Sequence, residues 1–143
     1  MSLTDPRWDD LTDDDWDAFA IAWNAELCGG QSTHLPELPV LFDDDPPKSA
    51  GDFVVPMNFT ASPAAQWKFI RAAYRHGNDA TFGHLAAGPI EHLLGTHGDD
   101  YIAVVEQLAN SEPRFARILD GCYQNRMTDI VWNRLCTIRR NAG

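Results

Sequence analysis

No stretch of this 143-residue sequence approaches the roughly 20 consecutive apolar residues that cross a bilayer. The opening Met1-Ser2-Leu3-Thr4-Asp5-Pro6 has neither the basic start nor the apolar run of a secretory signal, so the cytoplasm is the expected location and no membrane partner is expected. Cysteine is scarce too. Cys28, Cys122 and Cys136 are odd in number and lack CxxC spacing, which argues against a disulfide framework and for reduced thiols. There is no G-x-S-x-G, no phosphate-binding loop and no dinucleotide glycine pattern, and no cysteine has the surroundings of a nucleophile. From the residues alone no catalytic group, metal or cofactor is assigned.

Positive charge is nearly missing from the first third. Residues 1–52 hold 13 Asp/Glu against 2 Lys/Arg, whereas from Phe53 onward there are 8 acids and 9 bases, so the net charge of −10 belongs to one end of the chain. Two runs dominate it: Asp9-Asp10 with Asp13-Asp14-Asp15 and Asp17, then Asp43-Asp44-Asp45. Such a surface repels nucleic acid and anionic membranes and attracts basic proteins.

What is abundant is large apolar area, with five Trp, seven Phe and three Tyr spread along a chain that is 44% hydrophobic. That suits one domain over 1–143, composed of an acidic N-terminal helix (1–30), a Pro-rich connection (31–61) and a helical core (62–140). Trp16, Phe19, Ala20, Trp23 and Leu27 fall on one helical stripe, with Thr12 as N-cap, Asp13, Asp14 and Asp15 in the first turn, and Gly29-Gly30 at the end. Prolines 36, 39, 46, 47, 56 and 63 then predict an extended connection, with Asp43 to Gly51 exposed and Phe53-Val54-Val55 as a short extended piece on the core. Beyond it, Ser62-Pro63 opens a helix through Trp67, Ile70, Ala73 and Tyr74; Asp79–Ala87 forms another, closed by Gly88; Pro89 restarts one that ends near Gly98. Asp99 caps the next, with Tyr101, Val104, Val105 and Leu108 inward; Ser111 caps one carrying Phe115, Ile118 and Leu119; Thr128 starts the last, through Val131, Leu135 and Ile138. The expected fold is all-α, an irregular bundle or short stack of six to seven antiparallel helices with a Pro-rich extended connection after the first.

The run Leu85-Ala86-Ala87-Gly88-Pro89-Ile90-Glu91-His92-Leu93-Leu94-Gly95-Thr96-His97-Gly98 concentrates the distinctive residues. Gln66-Trp67-Lys68-Phe69-Ile70 precedes it and Ala109-Asn110-Ser111-Glu112-Pro113-Arg114-Phe115 follows. Together they resemble an uncharacterised bacterial family of small helical proteins with an AAGPxExLLxxHG core, over roughly residues 58–138. The resemblance implies a helical fold and a bacterial or phage cytoplasmic origin, makes Glu91 and His97-Gly98 members of the motif, and carries no activity.

Physically, the motif reads as helix-end chemistry. Gly88-Pro89 makes a tight corner with a positive-φ glycine, Glu91 reaches back to free amides, and His97 bonds terminal carbonyls. The alternative is a hydrolase-like or metal-binding centre at residues 84–100, built from His84, Glu91, His92 and His97 with Asp99 or Asp100. Spacing opposes it: His92 and His97 are five apart and Glu91 adjoins His92, so neither pair shares a helix face.

The arginines Arg114, Arg117, Arg126, Arg134, Arg139 and Arg140 lack interleaved exposed aromatics, and the overall pI of about 4.6 opposes nucleic-acid binding. They are expected to face the acidic segment, within the fold or in a homodimer. The preferred functional expectation is a binding protein for a basic partner: an immunity protein, antitoxin or phage-encoded inhibitor whose carboxylates occupy a phosphate site. Asp9, Asp10, Asp13, Asp14, Asp15 and Asp17 supply the field, and Trp8 or Trp16 an apolar anchor, unless Trp8 packs the helix entrance instead.

Overall fold

The computed structural model describes residues 4–31, 34–41 and 46–142, and every regular element among them is helical, so the protein is all-α. The chain divides into two compact units, Met1–Thr81 and Phe82–Gly143.

The first unit holds α1 (Asp13–Leu27), α2 (Ala50–Thr60) and α3 (Pro63–His76), preceded by a 3-10 turn over Pro6–Asp10. Thr12 caps α1 as expected: its hydroxyl accepts from the Asp15 amide at 3.1 Å while the Asp15 carboxylate accepts from the Thr12 amide at 2.9 Å, a reciprocal capping box. At the other end Gly29 takes φ +83°, the left-handed conformation that glycine adopts without penalty. The Gly29 and Gly30 amides then satisfy the Glu26 and Ala25 carbonyls at 3.0 and 2.9 Å.

An aromatic cluster fills the core of this unit. Phe69 of α3 lies 4.7 Å from Phe19, 5.4 Å from Trp23 and 6.4 Å from Trp16, centroid to centroid, and Trp8 stacks on Trp16 at 6.2 Å. The Trp8 indole N–H donates to the Thr60 hydroxyl at 2.9 Å, so its one polar atom is satisfied inside the core. The buried stripe of α3 runs through Phe69, Ile70 and Ala73, whereas Trp67, expected on it, is only half-buried.

The Pro-rich connection is shorter than expected. Its described residues 34–41 are non-helical and anchored by buried Leu38 and by Arg7, which donates to the Val40 carbonyl at 3.2 Å. The predicted extended piece at Phe53-Val54-Val55 is instead part of α2, with Pro56 inside it. An interior proline costs roughly 3 kcal/mol. Burial of Phe53, Val54 and Met57, at about 1.5–3 kcal/mol each when complete, outweighs that. The first turn is also capped from two sides, since Ser49 accepts from the Asp52 amide while the Glu26 carboxylate of α1 accepts from Ala50 at 2.7 Å and Gly51 at 3.0 Å. Exposure was expected through residue 51, yet Ala50 is fully buried; Asp43, Asp44 and Asp45 lie outside the described residues.

α4 (Asp79–Leu85) spans the boundary between the units. The second unit continues with a π-helical turn over Ala86–Ile90, then α5 (Glu91–Ser111), α6 (Pro113–Ile118), a 3-10 turn over Leu119–Gly121, and α7 (Asp129–Ala142). The Gly-Pro corner read from the sequence is therefore not a turn with positive φ: among the described residues only Gly29 and Asn125 have one. Pro89 has no amide to give the Leu85 carbonyl and its ring would strike that oxygen. The helix widens instead, so that the Glu91 amide reaches back to Ala86.

Three further expectations need correction. The predicted break near Gly98 survives only as a kink at His97 (φ −133°, ψ 29°) within α5, and Ile102 faces the core where Tyr101 and Val104 were expected to. Ser111 ends α5 by donating to the Gln107 carbonyl, which leaves Glu112 at the N-cap of α6 with Pro113 in its first turn. Thr128 does cap α7, accepting from the Val131 amide at 3.2 Å.

α5 and α7 meet at Gly98, where an added Cβ would stand 2.9 Å from Val131 Cγ2. Gly98→Ala should therefore destabilise the protein by about 1–3 kcal/mol in urea denaturation, opposite in sign to the gain expected from alanine in an open helix. Adding Val131→Ala should make that second step cheaper than Val131→Ala alone; additive costs would show that the contact is slack.

Candidate functional site

The acidic residues of the N-terminal edge have divided roles. Asp5 is bound by Arg7, whose guanidinium donates at 2.6–3.1 Å and holds the Asp5 carboxyl below the usual carboxylate range. Asp9 accepts from the Ser62 hydroxyl at 2.6 Å, and Asp15 belongs to the capping box. Asp17 accepts from Arg75 at 2.9 Å and lies 3.1 Å from His76 Nε2; the Arg75 hydrogen bond is the main reason its carboxyl is held low. Asp10, Asp13 and Asp14 remain exposed and form no ion pair among the described residues.

Trp8 and Trp16, the expected anchors, are 0% and 2% exposed and belong to the core. Trp8 thus packs the entrance of α1. The exposed large apolar side chains of this unit include Val55 and Phe59, each 59% exposed and one helical turn apart on α2. Their i, i+4 spacing was visible in the sequence, but assigning the segment to an extended piece hid it.

Between α1 and α3 is a cleft of about 520 Å³ lined by Asp13, Trp16, Asp17, Trp67, Lys68, Arg71 and Arg75. Sequence reasoning passed over its basic wall, although Lys68, Arg71 and Arg75 are spaced i, i+3, i+7.

In the second unit the motif residues separate. His84 is exposed on α4 and His92 half-buried on α5, while His97 lines a cleft of about 170 Å³ with Asp99, Asp100 and Thr128. Among the described residues no three His, Cys, Asp or Glu side chains converge as metal ligands. Glu91 does not cap amides. It is 6% exposed, accepts a short hydrogen bond from the Asn125 side chain, and leaves Oε2 buried with no partner among the described residues. Asn125 has φ +44°, a conformation asparagine tolerates better than most residues, and nothing in the sequence ties it to Glu91. Nearby, the Cys122 thiol donates to the Ala86 carbonyl at 3.4 Å, and burial first, then the Glu91 charge, push it up to about 12. Two arginines of this unit find acidic partners within it: Arg134 binds Glu106, and Arg139 reaches Asp120 at 3.3 Å while lying over the Trp132 ring.

The fold and these sites define an all-α protein with an acidic edge, three of whose carboxylates form no ion pair among the described residues, and a buried carboxylate in its glycine-proline motif. Residues 43–143 match a family of unknown function, DUF6869, and the chain belongs to that family. The match takes in α2 through α7 and leaves α1 with its acidic turn outside. No curated protein and no solved structure matches the chain.

Two outcomes test this electrostatic description. A carboxyl held low in the folded state adds stability above the unfolded aspartate value of about 3.9, and loses it as pH falls through the lower folded value. Asp17→Asn should therefore flatten the loss of stability in urea on acidification; an unchanged acid limb would mean that the Arg75 pair is inert. Under native conditions at pH 8, iodoacetamide should modify exposed Cys28 and leave Cys122 untouched until the protein unfolds, as read by mass spectrometry.

Proposed function

We propose that the protein binds a basic protein partner through the acidic edge at the start of α1. The observation that carries this reading is the exposure of Asp10, Asp13 and Asp14, none of which forms an ion pair among the described residues. Internal ion pairs would have cancelled the field; Asp5 and Asp17 are paired in that way, and these three are not. Anionic surfaces of this kind accelerate encounter with a cationic partner and repel nucleic acid and anionic membranes.

In its finer form the reading is an inhibitor. The partner acts on nucleic acid in the cytoplasm, and the carboxylates occupy the positions of phosphates, as an immunity protein, antitoxin or phage-encoded inhibitor would place them. Val55 and Phe59 take over the apolar anchoring first assigned to Trp8 and Trp16. Two bonds hold the end of α2 beside the acidic turn: the Asp5 amide donates to the Thr60 carbonyl at 2.7 Å, and the Ser62 hydroxyl donates to Asp9. An apolar patch bordered by charge is the usual anatomy of a protein interface.

The test uses a partner recovered from host extract. Replacing Asp10, Asp13 and Asp14 together by Asn, with the capping residue Asp15 left intact, should lower the association rate by about 10–10³-fold at low salt and flatten its salt dependence. Phe59→Ser should act mainly on dissociation. An unaltered association rate in the triple variant would remove the reading.

A further inference from the structure

We infer that the cleft between α1 and α3 binds a small organic anion, a carboxylate or phosphate group carried on a flat ring. It is an open cleft of about 520 Å³, roomy enough for a small molecule to lie in. The unit formed by residues 1–81 contains 14 acids and only 5 bases, yet three of those bases, Lys68, Arg71 and Arg75, converge on this cleft from one face of α3. A helix face needed only for solubility would not draw most of the scarce cations of an acidic unit into one concavity.

Two of the three cations are not consumed by internal pairing. Arg75 is engaged by Asp17, which also meets His76, so that carboxylate is compensated. Lys68 is exposed and forms no ion pair among the described residues. Arg71 Nε is shut off from solvent and has no acceptor among the described residues. Arg71 is itself half-buried, lines the cleft and forms no ion pair among the described residues, so it can meet an oxyanion held there. Trp67 also lines the cleft from α3, and buried Trp16 lines it from α1. Indole and guanidinium surfaces favour a flat ring. Asp13, on the opposite wall, disfavours a second negative charge and selects for a ligand whose far end is neutral or a hydrogen-bond donor. A nucleic-acid strand is opposed by the neighbouring Asp10 and Asp14.

The full chain should be titrated with indole-3-carboxylate, adenosine monophosphate and neutral indole-3-methanol, following two-dimensional NMR shifts of α1 and α3. Saturable binding of either anion, weakened about tenfold by Arg71→Gln and by raised salt, is the expected result. Carboxylate and phosphate sources are separated by which of the two binds more tightly. Circular dichroism of Arg71→Gln guards against loss of fold, and Lys68→Ala, at an exposed position, supplies a second variant expected to weaken binding. No saturable binding of either anion, equal binding of the neutral analogue, or binding indifferent to both variants would overturn the inference.

Discussion

The packing of Phe69 against three aromatic rings of α1 is the contact on which the first unit depends. Phe19, Trp23 and Trp16 approach that one ring from successive turns of α1, and Trp8 closes the stack from the 3-10 turn. Rings of this size bury about 150–250 Å² each, far more than the surface ion pairs of the same unit contribute. The aromatic cluster therefore sets where α1 lies, and the Arg75–Asp17 pair only trims its orientation. Both proposed surfaces follow. With the apolar face of α1 held against α3, its carboxylates are left at the rim, and the groove beside the cluster becomes the cleft with cations on one wall.

A different constraint governs the second unit. Pro89 cannot complete the hydrogen-bond ladder, and the chain answers with a π-helical turn instead of a corner. The widened turn leaves the Ala86 carbonyl to two donors, the Glu91 amide and the Cys122 thiol. It also carries Glu91 into the interior, where Asn125 meets it. Gly121 permits this closeness, since a Cβ there would stand 2.9 Å from that of Ala86. The motif's small residues, proline and buried acid are thus one packing solution, and each member makes sense only with the others.

Much of this was legible in the sequence where local chemistry decides the outcome. The Thr12 cap, the Gly29-Gly30 stop, Ser62-Pro63 and Thr128 all depend on residues within a few positions of one another, and all four expected ends are present. Failures occurred where a distant residue settles a local question. Pro56 argued against a helix until Glu26, 24 residues before Ala50, supplied acceptors for two amides at the start of α2. Glu91 looked like a capping residue because Asn125, 34 positions away, leaves no trace in local spacing. Trp8 and Trp16 adjoin acids in the sequence, and only the tertiary cluster reveals that they point inward.

The acidic edge and the basic wall of the cleft are not in conflict, because charge acts over a limited distance. At physiological ionic strength exposed charges are screened beyond about 8 Å, so Asp13, which lines the cleft, belongs to both surfaces. Asp17 sits at the junction and is paired with Arg75. The family match divides them along the same line. The basic wall on α3 lies inside residues 43–143 and the carboxylates of α1 lie outside. The cleft is thus completed by a segment beyond the matched region: α3 supplies the cations, and α1 supplies Asp13 opposite them.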